Sequence, residues 1–474
     1  MASFFFAYSP ACDIMTIMNV YEPSNLNVII LAAGKGTRMH SSQPKVLHEI
    51  AGMPLVSHVV TTARDLGACE ICVVYGHGGQ RVPELLKNEN LSFAEQEPQL
   101  GTGHAVQCAI PQVARTGRTL ILYGDVPLIG KNTLQKLLST GTPFGLLTVH
   151  LENPGGYGRI VRDHQGKVFK IVEEKDANPG EREITEVNTG VMVLPTEKLA
   201  NWLGRLENHN SQGEYYLTDV VAMAVSEGMD ISTVHPEHEW EVLGVNNRVQ
   251  LAELERIHQS RRAAELMQSG VTLADPDRFD LRGSLHCGKD VFIDVNCLFE
   301  GEVHLGDEVR IGANCVIRNA VIDRNTIVEP FSYIDGAKIA SSCKIGPYAR
   351  IRPSTILGEN AHVGNFVEIK NAEIGTGSKA NHLSYIGDAT IGSGVNIGAG
   401  TITCNYDGAK KHRTVIEDGA FIGSDTQLVA PVTIGRNATI GAGSTITRNA
   451  PEGGLTLSRS KQVHIEYWKR PRKD

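Results

Sequence analysis

The 474-residue chain carries 45 Lys and Arg against 53 Asp and Glu, a formal net charge of -8, with hydrophobic residues at 41%. That balance predicts a globular protein of two or three domains and excludes bulk nucleic-acid binding, which needs a basic face. No run of about 18 apolar residues predicts a membrane-spanning helix, and the nine cysteines, without disulfide-type spacing, point to free thiols in a reducing, cytoplasmic setting.

Residues 1–26 begin MASFFFAYSPACDIMTIM, with no Lys or Arg ahead of the apolar run and Asp13 interrupting it. A secretory leader is not expected. The segment reads as a disordered or non-native extension, with Met15 and Met18 as later candidate starts. From Asn27 the run Val-Ile-Ile-Leu-Ala-Ala33 predicts a strand buried in a parallel sheet. Further strands at 71–75, 119–123, 145–150 and 190–194, with helical patterns over 54–66 and 103–114, predict an α/β domain over 27–248. Ligands in such sheets sit beyond the carboxyl ends of the strands, which singles out the loops after Ala33 and Tyr123. Cys69 and Cys72, in GACEICVVYG, are expected as two core thiols rather than a redox or metal pair.

Residues 249–270 read as a linker helix with Leu251, Leu254 and Ile257 on one side and a stop at Ser269-Gly270. In the last part, 271–474, an apolar or small residue returns at every sixth position from Val291 through Cys297, Val303, Val309, Cys315, Val321, Ile327, Tyr333, Ile339, Ile345, Ile351, Leu357 and Val363 to Ile369. A period of six fits no helix. It suits a strand-and-turn unit and predicts a parallel β-helix of hexapeptide repeats in one unbroken register. The glycines after Leu305, Ile311 and Ile345 are expected at sharp corners. The register slips after Ile369 and resumes at Ile416, Ile422, Leu428, Ile434, Ile440 and Ile446. Between them TCNYDGAKKHRT, 403–414, predicts a loop thrown out of the solenoid, and such insertions often lie on the binding face.

Two stretches carry chemistry. LAAGKGTRM, 31–39, is a glycine-rich turn after a buried strand, with Lys35 and Arg38 inside it and Lys45 just beyond. Freed backbone N–H groups and cations of this kind suit a phosphate, although the pattern is neither GxxxxGK[ST] nor GxGxxG. His382, in KANHLSYIG, sits where the six-residue period fails. A neutral imidazole there could take the proton of an attacking amine.

The nonamer followed by Pro44-Lys45 resembles the sugar-nucleotide pyrophosphorylases, nucleotidyltransferases of Rossmann-like fold. The likeness continues through Gln96, Gly101-Thr102, Tyr123-Gly124-Asp125, Tyr157-Gly158, Glu173, Asn188 and Gly244-Val245-Asn246. By similarity to the branch that uridylylates N-acetylglucosamine 1-phosphate, Leu31, Ala32, Ala33, Gly34, Thr102, Tyr123 and Gly124 line the nucleotide site, and Gln96 and Gly101 meet the uracil. The resemblance further implies that Gly158, Glu173 and Asn188 hold the sugar and that Asp125 and Asn246 bind Mg²⁺. Lys45 is then expected to stabilise the α-phosphate, and Arg38 the departing pyrophosphate.

The repeat half resembles the left-handed β-helix acyltransferases, which bind acyl-CoA between trimer subunits. Joined to the first half by a helix, it is similar to the bifunctional family that makes UDP-N-acetylglucosamine for peptidoglycan and lipopolysaccharide synthesis. That resemblance implies His382 as the base, and Arg352, Lys370, Tyr385 and Asn396 around glucosamine 1-phosphate. It places Ala399, Asn405, Tyr406, Ser424, Ala442 and Arg459 against acetyl-CoA, and it implies a homotrimer. The remaining tail cations, Lys461, Lys469, Arg470, Arg472 and Lys473, are expected to be solvated. Two alternatives stand beside this reading: a single-function pyrophosphorylase with a structural β-helix, and a non-catalytic regulatory subunit. His382 and Asn405-Tyr406 argue against the first, and Lys45, Asp125 and Asn246 against the second.

Overall fold

The computed structural model describes residues 25–76 and 80–472. The expected N-terminal extension lies, up to residue 24, outside the described residues, as does Lys473. The chain divides into two compact units inside one helix, Arg248–Gln268, the first ending at Leu254 and the second starting at Glu255.

Nine strands of the first unit form one sheet: β1 (Leu26–Leu31), β2 (Glu70–Tyr75), β3 (Ser92–Glu95), β4 (Arg118–Tyr123), β5 (Phe144–His150), β6 (Arg159–Arg162), β7 (Val168–Val172), β8 (Glu186–Pro195) and β9 (Ile231–Val234). The order across it is β9-β5-β8-β4-β1-β2-β3, with β6 and β7 branching from β8. Strand β1, buried along its whole length, pairs in parallel with β2 and β4. The strand expected at 190–194 is the end of the longer β8, which runs antiparallel to both β4 and β5, so the sheet is mixed. Helix Leu55–Asp65 buries Val56, Val59, Val60 and Ala63 on one side of the sheet. On the other, Trp202 stacks on Phe144 at 6.0 Å. With both faces covered, β2 buries five consecutive residues after Glu70. Cys72 is one of them, its thiol pushed up to about 12 by burial and by Glu70. Cys69 precedes the strand and is exposed, so only one of the two is a core thiol.

The second unit is a parallel β-helix. One face is an eleven-stranded stack, and the strands of the other two faces run together in a sheet of seventeen. Cys297 and Cys315 lie in its core, where burial pushes their thiols up to about 11 and about 12. The period of six is real, but the register is broken where it was expected to be continuous. Val321 and Ile327 are 46% and 39% exposed, while Ala320, Ile322, Thr326 and Val328 fill the interior. Ile311 pairs with Val328 and Val328 with Ile345, each coil one residue short of three hexapeptides. Each shortening shifts the inward set by one. Two of them carry the sixfold register from one inner position (Val291 to Cys315) to the next inner position two residues along (Ile339 to Ile369). Both positions are apolar or small, so a simple period does not register the exchange.

The corner glycines also differ from expectation. Only Gly346 of the three has a positive φ, 95°. Gly306 and Gly312 are required by the stacking of coils, because a Cβ would lie 2.6 Å from the Arg324 nitrogen or 2.8 Å from the Pro330 ring. Left-handed corners fall instead to residues such as Asn314, Asn319 and Asn325, whose short polar side chains tolerate that conformation.

Candidate active sites

In the first unit, the turn after β1 leads into two short 3₁₀ segments, Thr37–Met39 and Lys45–Leu47. Gly36 has φ 60°, and a Cβ there would lie 2.7 Å from Lys45 Cβ, so this glycine lets the turn close over the lysine. Lys45 Nζ pairs with Asp125 Oδ2 and donates to Asn246 Oδ1 at 3.2 Å; Arg38 donates to the same Oδ1 at 3.0 Å. Asn246 is held in turn by its N–H to Gln250 Oε1 at 2.8 Å, and the Val245 N–H donates to the Asp125 carbonyl at 2.9 Å. Residues from three distant stretches thus meet beyond the carboxyl ends of β1 and β4.

A cavity of about 380 Å³ opens beside them, lined by Leu31, Ala32, Ala33, Gly34, Lys45, Gln96, Gly101, Thr102, Tyr123 and Asp125, together with Lys35, Gln99 and Glu214. Gly124 donates its N–H to the Leu31 carbonyl at 2.9 Å, tying the ends of β1 and β4 together. Gln96 is buried and donates to the Gly101 carbonyl at 2.9 Å; Gln99 donates to the Ala33 carbonyl at 2.7 Å. Gln99 and Glu214 were not anticipated from sequence, since neither belongs to a motif or a period.

On the other side of Tyr123, the Asn188 N–H donates to the Gly158 carbonyl at 2.8 Å. Both Glu173 oxygens lie 3.4 Å from the position a Cβ on Gly158 would take. Burial pushes the Glu173 carboxyl up, against the 2.9 Å bond donated by the Thr218 hydroxyl, and Asp219, Asp176 and Glu214 add to the push. It is not a solvated surface charge. The Tyr123 phenol is likewise pushed up, first by enclosure and then by Glu173 and Asp125. One side chain therefore senses both the Gly158–Glu173–Asn188 group and the cation cluster.

In the second unit, Lys370 is held below the usual lysine range by its contact with Lys411 and by the charges of Lys411 and Arg352. Arg352 also donates to Glu368 Oε1 at 2.8 Å. Three cations kept this close suit a polyanion. Lys411 was missed because nothing in the adjacent Lys410-Lys411 says which one turns toward Lys370. It sits in the extruded loop, bridged to Tyr406 between strands Ile402–Cys404 and Thr414–Ile416. Beside the cluster, a Cβ on Gly387 would collide with the Tyr385 hydroxyl and lie 2.8 Å from Asn405 Nδ2. Asn396 is on a different face, in the eleven-stranded stack between Lys379 and Phe421.

His382, Ala399, Ser424 and Ala442 occupy the same place on successive coils. Asn365 pairs in register with His382. Gly400 donates its N–H to the His382 carbonyl at 3.4 Å, Asp425 to Ala399 at 2.7 Å, and Gly443 to Ser424 at 2.8 Å. Arg459 donates to the Ala442 carbonyl at 2.9 Å. One edge of the solenoid thus carries an exposed histidine and three small exposed or half-buried residues above it. Asn405 is buried and Tyr406 is 62% exposed. The tail beyond Arg459, as far as it is described, is exposed.

Among the described residues, His150, Glu186 and His235 form a further group with metal-ligand atoms within 4.8 Å of one another. The carboxylate is committed elsewhere: Arg162 donates to both Glu186 oxygens at 2.6 and 2.7 Å, and Thr148 to Oε1 at 3.0 Å. The group reads as an ion-paired strut across β5, β8 and β9.

Family models describe residues 28–273 as a MobA-like NTP transferase domain, 281–379 as a GMPPB C-terminal domain, and 413–448 as bacterial transferase hexapeptide repeats. The chain is 58% identical over 448 residues to the bifunctional protein GlmU of Herminiimonas arsenicoxydans, covering 94% of this chain and 99% of that one. It is 61% identical to the GlmU of Azoarcus sp. (strain BH72), with the same coverage. Identity to the GlmU of Ralstonia pickettii (strain 12J) is 59%, over 94% of this chain and 98% of the relative.

Proposed function

Because the chain belongs to the family of the bifunctional protein GlmU, we propose that it makes UDP-N-acetylglucosamine in two steps. The second unit acetylates glucosamine 1-phosphate from acetyl-CoA. The first unit then transfers UMP from UTP to N-acetylglucosamine 1-phosphate and releases pyrophosphate, supplying cell-wall precursors. The observation that carries this reading is the presence of two different anion-accepting sites: Lys45 and Asp125 lining one cavity, with Asn246 bonded to Lys45 and Arg38 to Asn246, and the Arg352, Lys370 and Lys411 cluster on the solenoid that carries His382.

Uridylyl transfer needs no protein nucleophile, because an oxygen of the sugar phosphate attacks the α-phosphorus directly. Catalysis is then positioning and charge neutralisation. Lys45 serves the α-phosphate and Arg38 the pyrophosphate. Asp125 and Asn246 present hard oxygens to a common cation, the Lys45 ammonium, and that donor set suits Mg²⁺. Bound there, Mg²⁺ would supply charge neutralisation on the phosphates. The enclosed Glu173, with Gly158 and Asn188, takes the sugar hydroxyls.

For acetyl transfer, Asn365 Oδ1 lies 2.9 Å from His382 Nδ1. With the proton on Nδ1, the Nε2 lone pair is free to accept one from the sugar amine. The amine nitrogen bonds to the thioester carbonyl carbon, the C–S bond breaks, and the proton passes from Nε2 to the departing thiolate. Arg352, Lys370 and Lys411 anchor the sugar phosphate while Tyr385 faces the sugar; Asn396, on a different face of the solenoid, reaches the sugar only from a neighbouring copy of the chain. Ala399, Ser424, Ala442 and Arg459 form the track for the coenzyme, with Asn405 and Tyr406 at its acyl end.

The rings of Phe331, Tyr348 and Phe366 stack at 4.9 and 5.2 Å, all about half exposed, and lead up to the exposed Leu383 beside His382. An apolar ladder of that kind supports a homotrimer closed along this edge. Among the described residues no helix is long and apolar enough to cross a membrane, and the free thiols suit the cytoplasm. A coupled assay with glucosamine 1-phosphate, acetyl-CoA, UTP and Mg²⁺, following free thiol and pyrophosphate, tests the whole reading. Release of one without the other removes half of it.

A further inference from the structure

Asp388 stands at a corner of the solenoid with φ 48° and is 8% exposed. Among the described residues it has no ion-pair partner within 4.0 Å; two amides face it instead. Asn371 Nδ2 donates to Oδ1 at 2.5 Å, and Asn405 Nδ2 donates to Oδ2. An ionised carboxylate can only accept hydrogen bonds. Both asparagines must therefore turn their NH₂ groups toward it, which settles an N/O assignment that shape alone leaves open. The consequence for Asn405 is that its Oδ1 points away from Asp388. With Nδ2 committed to Asp388, Oδ1 is the amide atom left for a ligand. Asn405 opens the extruded loop and shares the space beside Gly387 with the Tyr385 hydroxyl, next to the lysine pair.

We propose that Asp388 is a positioning residue for acetyl transfer, holding the Asn405 amide so that Oδ1 accepts an N–H of the glucosamine amine. The inference rests on the acetyltransferase reading of the second unit. An amine that attacks a carbonyl must aim its lone pair at carbon while its hydrogens find acceptors. His382 Nε2 takes one and Asn405 Oδ1 the other. A flipped Asn405 would set two donors against the amine and hold it off. No motif points to Asp388, because it acts through its neighbours: it orients the Asn405 amide, and its charge also favours the Lys370 ammonium.

Asp388→Asn in the full-length chain removes the compulsion, since a second amide can pair with Asn405 in either sense. Thiol release is expected to fall ~10- to 100-fold in kcat, as for loss of one aligned charge-assisted bond, with KM for glucosamine 1-phosphate within about twofold and uridylylation unchanged. Combining Asp388→Asn with Asn405→Asp restores a donor facing a carboxylate and leaves an oxygen outward, so the pair should be more active than either single variant. Wild-type kcat in Asp388→Asn, or a folded double variant no better than the singles, overturns the inference. If Asp388→Asn loses the thermal transition of the second unit, the double variant decides. Recovered thiol release on a recovered transition supports the proposal, and a double variant that stays unfolded makes the carboxylate structural and overturns it. A wild-type chain that releases no thiol would instead sink the acetyltransferase reading itself.

Discussion

Glu173 combines a stability cost with the sugar-binding role proposed for it. Burial first, then Asp219, Asp176 and Glu214, raise its carboxyl above the ordinary range despite the Thr218 hydroxyl. A carboxyl raised in the folded state stabilises the fold while protonated, below its unfolded value, and that contribution is lost as pH rises through the folded value. Above both values the charge is a burden on the first unit. Glu173→Gln keeps the shape and can still accept from Thr218, so calorimetry at pH 8 should show a thermal midpoint raised by ~2 °C. The gain should shrink as pH falls into the carboxylate range, and uridylylation should drop. Lys411 is the complementary case in the second unit. Removing it by Lys411→Ala relieves Lys370 but costs the sugar phosphate one cation, so KM for glucosamine 1-phosphate should rise ~10-fold with kcat largely kept. These two residues also mark how far sequence reading reaches. Glu173, Lys45, Asp125 and Asn246 lie in motifs specific enough to name. Lys411, Asp388 and Gln99 act by facing a neighbour across the fold, and no local pattern records which way a loop side chain turns.

At the level of the element, the solenoid shows a period that is right in kind and wrong in phase. The six-residue repeat identified a β-helix, yet two coils one residue short exchange one inner position for another between Cys315 and Ile339. The consequence separates adjacent residues. Ile322 is 1% exposed and Val321 46%. Ile322→Ala should cost ~2–5 kcal/mol by leaving a cavity between coils, whereas Val321→Ala should stay within ~0.5 kcal/mol. Denaturant titration of the second unit distinguishes them, and a continuous sixfold register would require the reverse. The mixed sheet of the first unit makes a related point. Strand β8 was expected from its apolar run, but its direction follows from the β6–β7 excursion that returns the chain antiparallel to β5, which a strand-by-strand reading does not contain.

For the whole molecule, the decisive fact is how cleanly the two sets of site residues separate. Arg38, Lys45, Asp125, Glu173 and Asn246 belong to the first unit; Arg352, Lys370, His382, Asp388, Asn405 and Lys411 belong to the second, and the division falls at Leu254 and Glu255 inside one helix. The activities should therefore separate at that point. His382→Ala should abolish thiol release and leave uridylylation of supplied N-acetylglucosamine 1-phosphate intact, and Asp125→Ala should do the opposite; a folded variant that stopped both would break the two-site reading. Cutting the chain is the stricter test, because the second half of the helix is part of the β-helix itself. Ala263 and Leu266 lie in the solenoid core, and buried Gln259 donates to the Leu281 carbonyl at 2.9 Å and accepts from the Leu281 N–H at 2.8 Å. A solenoid needs its terminal coil covered. A fragment of 255–474 keeps that cover and should retain acetyl transfer, whereas one of 271–474 exposes the first coil and should lose it through aggregation. Thiol release by the shorter fragment equal to that of the longer would show the helix to be a mere linker.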